Sequence, residues 1–288
     1  MAQLGARLNG IQEVRGSIPL SSTLKIVNIL EKQMLEVLKE LRENYGVNKV
    51  KAEFEAEGSR IEEMMRLKDV ASNAGIQIVM KIGGVEAVTD VYNALAIGVS
   101  DIVAPMAETK YALSKFVNMI ANYVAEDNAK DIGFSVNIET ETACNNFDDM
   151  LTLPDINVLE GVTVGRVDLI GSMGLDRSQI NISEDVKNIC KSIFSKAKKV
   201  GLNTTIGGGI DIDALPIISA MHADGLIDKY ETRKVVFPAE SISYGKKTIL
   251  KAVEFELLWL VSKRRYYSGV KKEDEKRIAM LEARLKQA

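Results

Sequence analysis

From about residue 20 the chain alternates two kinds of apolar pattern. The stretch that opens at Leu24 and runs through Met34, Val37 and Leu38 has apolar side chains three and four apart, the spacing of one helical face. Residues 59–73, 85–96, 111–124, 183–200 and 211–221 repeat that texture. Between them lie short apolar runs bounded by Gly, Pro, Asp or Asn, at 47–53, 76–80, 101–105, 132–138, 161–164, 203–206 and 226–230. Strand and helix alternating in this way require right-handed crossovers and a mainly parallel sheet. Seven strands in about 240 residues favour an α/β fold of the (β/α)8 TIM-barrel type over an open doubly wound sheet. A dinucleotide-binding sheet would need G-x-G-x-x-G after a strand, and Gly207-Gly208-Gly209 lacks that spacing. The eighth strand is expected before Leu24, where residues 10–20 are polar and contain Pro19, so a weak first strand is predicted.

The barrel is therefore placed at 1–238 and a C-terminal helical extension at 239–288. Two helices are predicted there: 243–267, with Ile249, Val253, Leu257 and Leu260 on one side, and 271–286, with a thin stripe of Ile278, Leu281 and Leu285. The extension reads either as an eighth barrel helix with a solvated tail or as a stripe that docks on a neighbouring subunit, which implies a homo-oligomer. The basic cluster Lys263-Arg264-Arg265 suits a solvated helix end better than RNA.

A net charge of −3 gives no electrostatic case for nucleic acid or an anionic membrane. No stretch is long and apolar enough to span a bilayer, and the N-terminus has no secretory pattern. Two cysteines, Cys144 and Cys190, make neither a disulfide framework nor a thiolate zinc site. A soluble cytoplasmic protein is the expectation.

In a parallel barrel, chemistry belongs to residues at the carboxyl ends of the strands. Glu139 follows the run 132–138, and Asp168 lies near the end of Val162-Thr-Val-Gly-Arg-Val-Asp-Leu169. Each acid alone could cap a helix; two converging on one mouth make a seat for a hard divalent cation. Alternation sends Glu53, Glu55 and Glu57 to one face of the first run, either lining the mouth or lying in a wet loop. Lys81, after Ile78-Val-Met80, either snorkels to solvent or meets an anionic substrate. Gly207 and Gly208 either bind phosphate or carboxylate through backbone N–H groups or serve tight packing. Lys229 or Arg233 is a candidate for a distal anionic group, and His222 reads as structural.

Ile138-Glu139-Thr140-Glu141-Thr142-Ala143 followed by Gly165-Arg166-Val167-Asp168-Leu169 and Gly174 resembles the HpcH/HpaI aldolase and citrate lyase β-subunit family. Met80-Lys81-Ile82 through Asp101–Met106 resembles the preceding βαβ of that family. The resemblance implies a metal-dependent carbon–carbon lyase on pyruvate- or oxaloacetate-like 2-oxo acids or acyl-CoA relatives. It implies Mg2+, Mn2+ or another divalent cation on Glu139 and Asp168, with the family's substrate-binding arginine replaced by Lys81. The family's glutamine before the metal glutamate becomes Asn137, a substrate-binding candidate, and its histidine base has no counterpart. Proton transfer then falls to metal-bound water or to Glu55 or Glu57, their affinity for protons raised by neighbouring carboxylates. Three alternatives stand beside this reading: a citrate-lyase-β-like acyl-CoA lyase, a metal-free aldolase with Lys81 as Schiff-base nucleophile, and a non-catalytic barrel serving as a binding or assembly subunit.

Overall fold

The computed structural model describes residues 28–286; the expected weak strand at 10–20 lies outside them. The eight strands are β1 (Lys49–Glu53), β2 (Gln77–Lys81), β3 (Asp101–Ala104), β4 (Gly133–Ile138), β5 (Gly161–Gly165), β6 (Asn203–Gly207), β7 (Lys229–Glu231) and β8 (Val235–Pro238). They close in sequence order into one barrel. The helices are α1 (Ile29–Tyr45), α2 (Ile61–Asn73), α3 (Val88–Ile97), α4 (Lys110–Tyr123), α5 (Glu126–Asp131), α6 (Glu141–Met150), α7 (Arg166–Ser172), α8 (Glu184–Lys199), α9 (Leu215–Ala223) and α10 (Lys246–Leu285).

The predicted α/β barrel is present, and its eighth strand comes from an unexpected place. β1 to β7 run parallel, whereas β8 turns back and pairs antiparallel with both β7 and β1. Only Thr232, Arg233 and Lys234 join β7 to β8, and a parallel return needs a crossover of roughly a dozen residues. Thr232 closes the turn, its hydroxyl accepting from the Val235 N–H at 3.1 Å. Among the described residues the barrel is complete without a strand before Leu24.

Most of the core lies between sheet and helices: Val50, Ala52, Ile78, Met80, Ile102, Ala104, Phe134, Val136 and Val162 point outward onto Met64, Leu67, Phe116, Phe147 and Phe194. The barrel interior holds a separate small cluster, Val79, Val103 and Val236, with Glu53, Lys81, Asn137, Thr163 and Glu231 buried around the same sheet and Lys51 part-buried among them. Barrel interiors are ordinarily filled by branched apolar residues. Here charged side chains share that space in pairs, as a charge buried away from water requires: Lys51 Nζ lies 2.6 Å from Glu231 Oε1 and 3.4 Å from Glu53 Oε1.

α1 begins on Asn28, whose side chain accepts from the Leu30 N–H at 3.0 Å, and ends on Gly46 at φ 70°. Its Met34, Val37, Leu38 and Leu41 are buried, as are Ile249, Ala252 and Phe255 of α10, the helix with which it makes its closest association. The two helices expected at the C-terminus are one. Ser268-Gly269 does not interrupt α10, which spans 40 residues and thus about 60 Å. No helix is long and apolar enough to cross a membrane among the described residues.

Candidate active site at the barrel mouth

Glu139 follows β4 directly and is 1% exposed. It is not the cap of α6: Thr140 fills that role, its hydroxyl accepting from the Ala143 N–H at 3.1 Å. Glu139 instead turns inward and collects donors. Its Oε1 accepts from the Met106 N–H at 3.2 Å, and its Oε2 accepts from Asn137 Nδ2 at 2.9 Å. Lys81 Nζ, at the end of β2, stands 3.4 Å from Oε1 and 3.5 Å from Oε2. Met106 is the non-glycine residue with left-handed backbone (φ 51°) among those described. Such a conformation is costly for a side-chain-bearing residue, and here it accompanies the donation to Glu139.

Lys81 is shared. Its ammonium also lies 3.0 Å from Glu55 Oε2, as an ion pair outside hydrogen-bond geometry. Burial alone would lower the Lys81 pKa; Glu139 first, then Glu55 and Glu53, outweigh it and hold the ammonium above the ordinary lysine range. Glu139 moves the other way. Burial raises its pKa and the Asp168 charge adds to that rise, outweighing Lys81, the Asn137 amide and the Met106 N–H.

The strand that leads to Asp168 ends earlier than its apolar run suggests. β5 stops at Gly165, and Arg166 opens α7, so Asp168 stands in the first turn of a helix, exposed, within electrostatic reach of Glu139. Gly165 makes room for the Glu139 side chain. A Cβ there would lie 2.5 Å from Glu139 Oε2 and 2.9 Å from Glu139 Cβ. Two carboxylates, one buried and one open to water, are hard oxygen donors of the kind that Mg2+ or Mn2+ takes while retaining several waters. The pair fits such an ion in its chemistry: two hard carboxylate donors, one of them held in place by the Asn137 amide and the Met106 N–H. Among the described residues no group of three His, Cys, Asp or Glu gathers to hold a metal.

The remaining candidates are engaged elsewhere. Glu57, expected as a possible base, is paired with Arg233 Nε at 3.2 Å and with the buried Lys234. Arg233 also reaches Glu53 Oε2 at 3.3 Å, so the residue expected to hold a distal anion already balances two carboxylates. At Gly207 and Gly208 the carbonyls, rather than the N–H groups, are engaged. The fully buried Arg166 donates from Nε to Gly207 O at 3.3 Å, and from Nη2 to Gly208 O at 2.9 Å and Gly209 O at 3.3 Å. Its Nη1 donates to Ile180 O at 3.2 Å and Asn181 Oδ1 at 3.0 Å. Gly208 has φ 75°, and a Cβ on it would meet the backbone nitrogens of Arg166 and Val167 at 2.6 Å. His222 sits in the last turn of α9, in keeping with a structural reading.

Sequence reasoning passed over Arg166, Lys234 and Lys51. Arg166 stands in the second position of Gly165-Arg166-Val167-Asp168, and nothing in that spacing tells a buried fork from a solvated one. Lys51 and Lys234 show themselves only through carboxylates far along the chain.

Comparison with known proteins adds the following. The family model described as HpcH/HpaI aldolase/citrate lyase matches residues 50–208, more than half of the chain. A search of the curated proteins finds no match. Among solved structures, the citrate synthase SbnG is 19% identical with a TM-score of 0.57, covering 71% of this chain and 82% of its own. An HpcH/HpaI aldolase from Desulfitobacterium hafniense DCB-2 is 16% identical with a TM-score of 0.54, covering 69% and 81%. Macrophomate synthase is 17% identical with a TM-score of 0.50, covering 63% and 70%. At these identities the structural likeness speaks to the fold.

Proposed function

The chain belongs to the HpcH/HpaI aldolase/citrate lyase family, and from that premise we propose that it is a divalent-metal-dependent carbon–carbon lyase acting on a 2-oxo acid of the pyruvate or oxaloacetate kind. The observation that carries the reading is the convergence of Lys81, Asn137 and the Met106 N–H on a buried Glu139 carboxylate beside the exposed Asp168.

Glu139 and Asp168 are the residues that would hold the cation. When bound, it supplies Lewis-acid polarisation of the substrate's keto group. The chain's own groups do the rest. Lys81, kept charged by its carboxylate neighbours, offers a point charge to the substrate carboxylate and to negative charge developing at the 2-oxo oxygen. Asn137 orients Glu139 through its amide and keeps its own carbonyl as an acceptor.

In the cleavage direction Glu55 takes the proton from the 4-hydroxyl of a 2-oxo-4-hydroxy acid. The C3–C4 bond breaks, an aldehyde leaves, and its electron pair passes into the enolate of the 2-oxo acid. Glu55 returns the proton to C3, giving pyruvate. Glu55 suits this work better than Glu57, because its side chain is part-exposed and, among the described residues, pairs with Lys81 alone, whereas Glu57 is held by two cations. A Schiff base on Lys81 is disfavoured, since it needs a neutral amine and the neighbours hold this one protonated.

The test is pyruvate release from a panel of 2-oxo-4-hydroxy acids, coupled to lactate dehydrogenase. The expected result is turnover that requires Mg2+ or Mn2+, stops with EDTA, and is lost in Glu139→Gln and Asp168→Asn. Turnover indifferent to EDTA, or none on any member with metal bound, would overturn the proposal.

A further inference from the structure

The second half of α10 leaves the barrel. Buried positions on this helix end at Ser262, and Tyr267 still reaches Glu63 of α2; from Ser268 to Lys286 all but Met280 are exposed. A single helix standing in water is marginal unless a neighbour covers an apolar face. The apolar residues of α10 that its own barrel does not cover are ordered. Leu250, Val253, Leu257, Leu260, Ile278, Leu281 and Leu285 are each at least 42% exposed. Their spacings of three and four fall on one heptad frame, with Leu250, Leu257, Ile278 and Leu285 at a, and Val253, Leu260 and Leu281 at d. Of the intervening positions of that frame, Arg264, Lys271 and Asp274 form a polar middle of the kind that fixes register at some cost in stability, while Tyr267 turns to Glu63 of its own barrel.

The stripe lies on the side of α10 away from Ile249, Ala252, Phe255 and Trp259, which are packed into the chain's own core. The flanking charges choose the direction. Arg277 and Arg284 occupy g positions, Glu275 and Glu282 occupy e positions. A parallel pair sets Arg277 of one copy against Glu282 of the other, twice. An antiparallel pair in the register that matches the apolar residues opposes g with g and e with e, so that Lys263 meets Arg277 and Glu254 meets Glu282, and only Glu256 against Arg284 is attractive. We propose that α10 is a homodimerisation element: a second copy of this chain docks on the Leu250–Leu285 stripe as a parallel two-stranded coiled coil. The proposal is independent of the chemistry at the barrel mouth.

The experiment uses the full chain. Sedimentation equilibrium is expected to give a species of twice the 31.7 kDa chain mass. Arg277→Glu should raise the dimer dissociation constant roughly tenfold by turning two attractive pairs into repulsive ones, and Arg277→Glu with Glu282→Arg should restore it. Leu281→Asp should give monomers. All these positions are exposed, so circular dichroism and the melting temperature of the barrel report that it is still folded. A Leu281→Cys variant under mild oxidation should form a disulfide between identical positions, as only the parallel arrangement allows. A monomeric wild type, a dimer indifferent to Leu281→Asp, or a double charge swap that fails to rescue would each overturn the proposal.

Discussion

Replacing Arg166 tests the frame that carries Asp168. The guanidinium is fully buried and uses all its donor directions on five acceptors: the carbonyls of Gly207, Gly208, Gly209 and Ile180, and Asn181 Oδ1. Among the described residues no carboxylate pairs with it, and burial holds its pKa below the ordinary arginine value. In Arg166→Met the carbonyls of Gly208 and Gly209, at half-buried residues, can turn to water; those of Gly207 and Ile180 lie at buried ones. Two stranded acceptors at about 1–3 kcal/mol each give a gross loss of about 2–6 kcal/mol. The desolvation no longer borne by the buried cation offsets part of that, leaving about 2–4 kcal/mol net. For a chain of this size that lowers Tm by roughly 5–15 °C. Arg166→Lys keeps the charge but cannot reproduce the fork, and should retain no more than part of the stability. The assay is urea unfolding followed by circular dichroism, beside calorimetric Tm. An Arg166→Met protein within about 0.5 kcal/mol of wild type, the range of an unimportant surface change, would refute the reasoning.

Gly165→Ala forces a Cβ against the Glu139 carboxylate, so stability should fall by about 1–3 kcal/mol while turnover falls further; full activity in a folded Gly165→Ala protein would contradict the geometry. Borohydride with pyruvate should leave no covalent adduct on Lys81, checked by intact-protein mass spectrometry, because the amine is held charged. Asp228 at the start of β7 accepts from the Thr204 N–H at 2.7 Å and pairs with Lys198, and its pKa is lowered: burial opposes the lowering, and those partners outweigh it. A carboxylate depressed in the folded state stabilises above its unfolded pKa and loses that contribution as pH falls through the folded one. The gap in urea midpoint between wild type and Asp228→Asn should therefore be full at pH 7 and shrink below about pH 4. A gap constant down to pH 3 would be the wrong outcome.

The barrel was legible because a short run bounded by turn residues overlaps each of its first seven strands. β8 was not, for Val235–Pro238 is short, follows β7 after three residues, and its turn Thr232-Arg233-Lys234 contains no glycine to mark a hairpin. Asp168 was expected at a strand end and lies in the first turn of α7. The run Val162–Leu169 is apolar across both β5 and the start of α7, and periodicity cannot separate strand from helix over so few residues. α10 was read as two helices because Ser268-Gly269 looks like a break, yet one glycine costs only about 1 kcal/mol in a helix interior. The residues at the strand ends were named, but their partnerships were invisible. Glu57 meets Arg233 and Lys234 across most of the chain length, and only the closing of the barrel makes those pairs.

The central claim is that Glu139 and Asp168 share one ion. Titration of Mn2+ followed by electron paramagnetic resonance measures this without any substrate. The account predicts one tight site per chain, weakened about tenfold or more by Glu139→Gln and by Asp168→Asn alike, and occupied by Mg2+ in competition. Mn2+ binding that is absent, or that survives both substitutions unchanged, would contradict it.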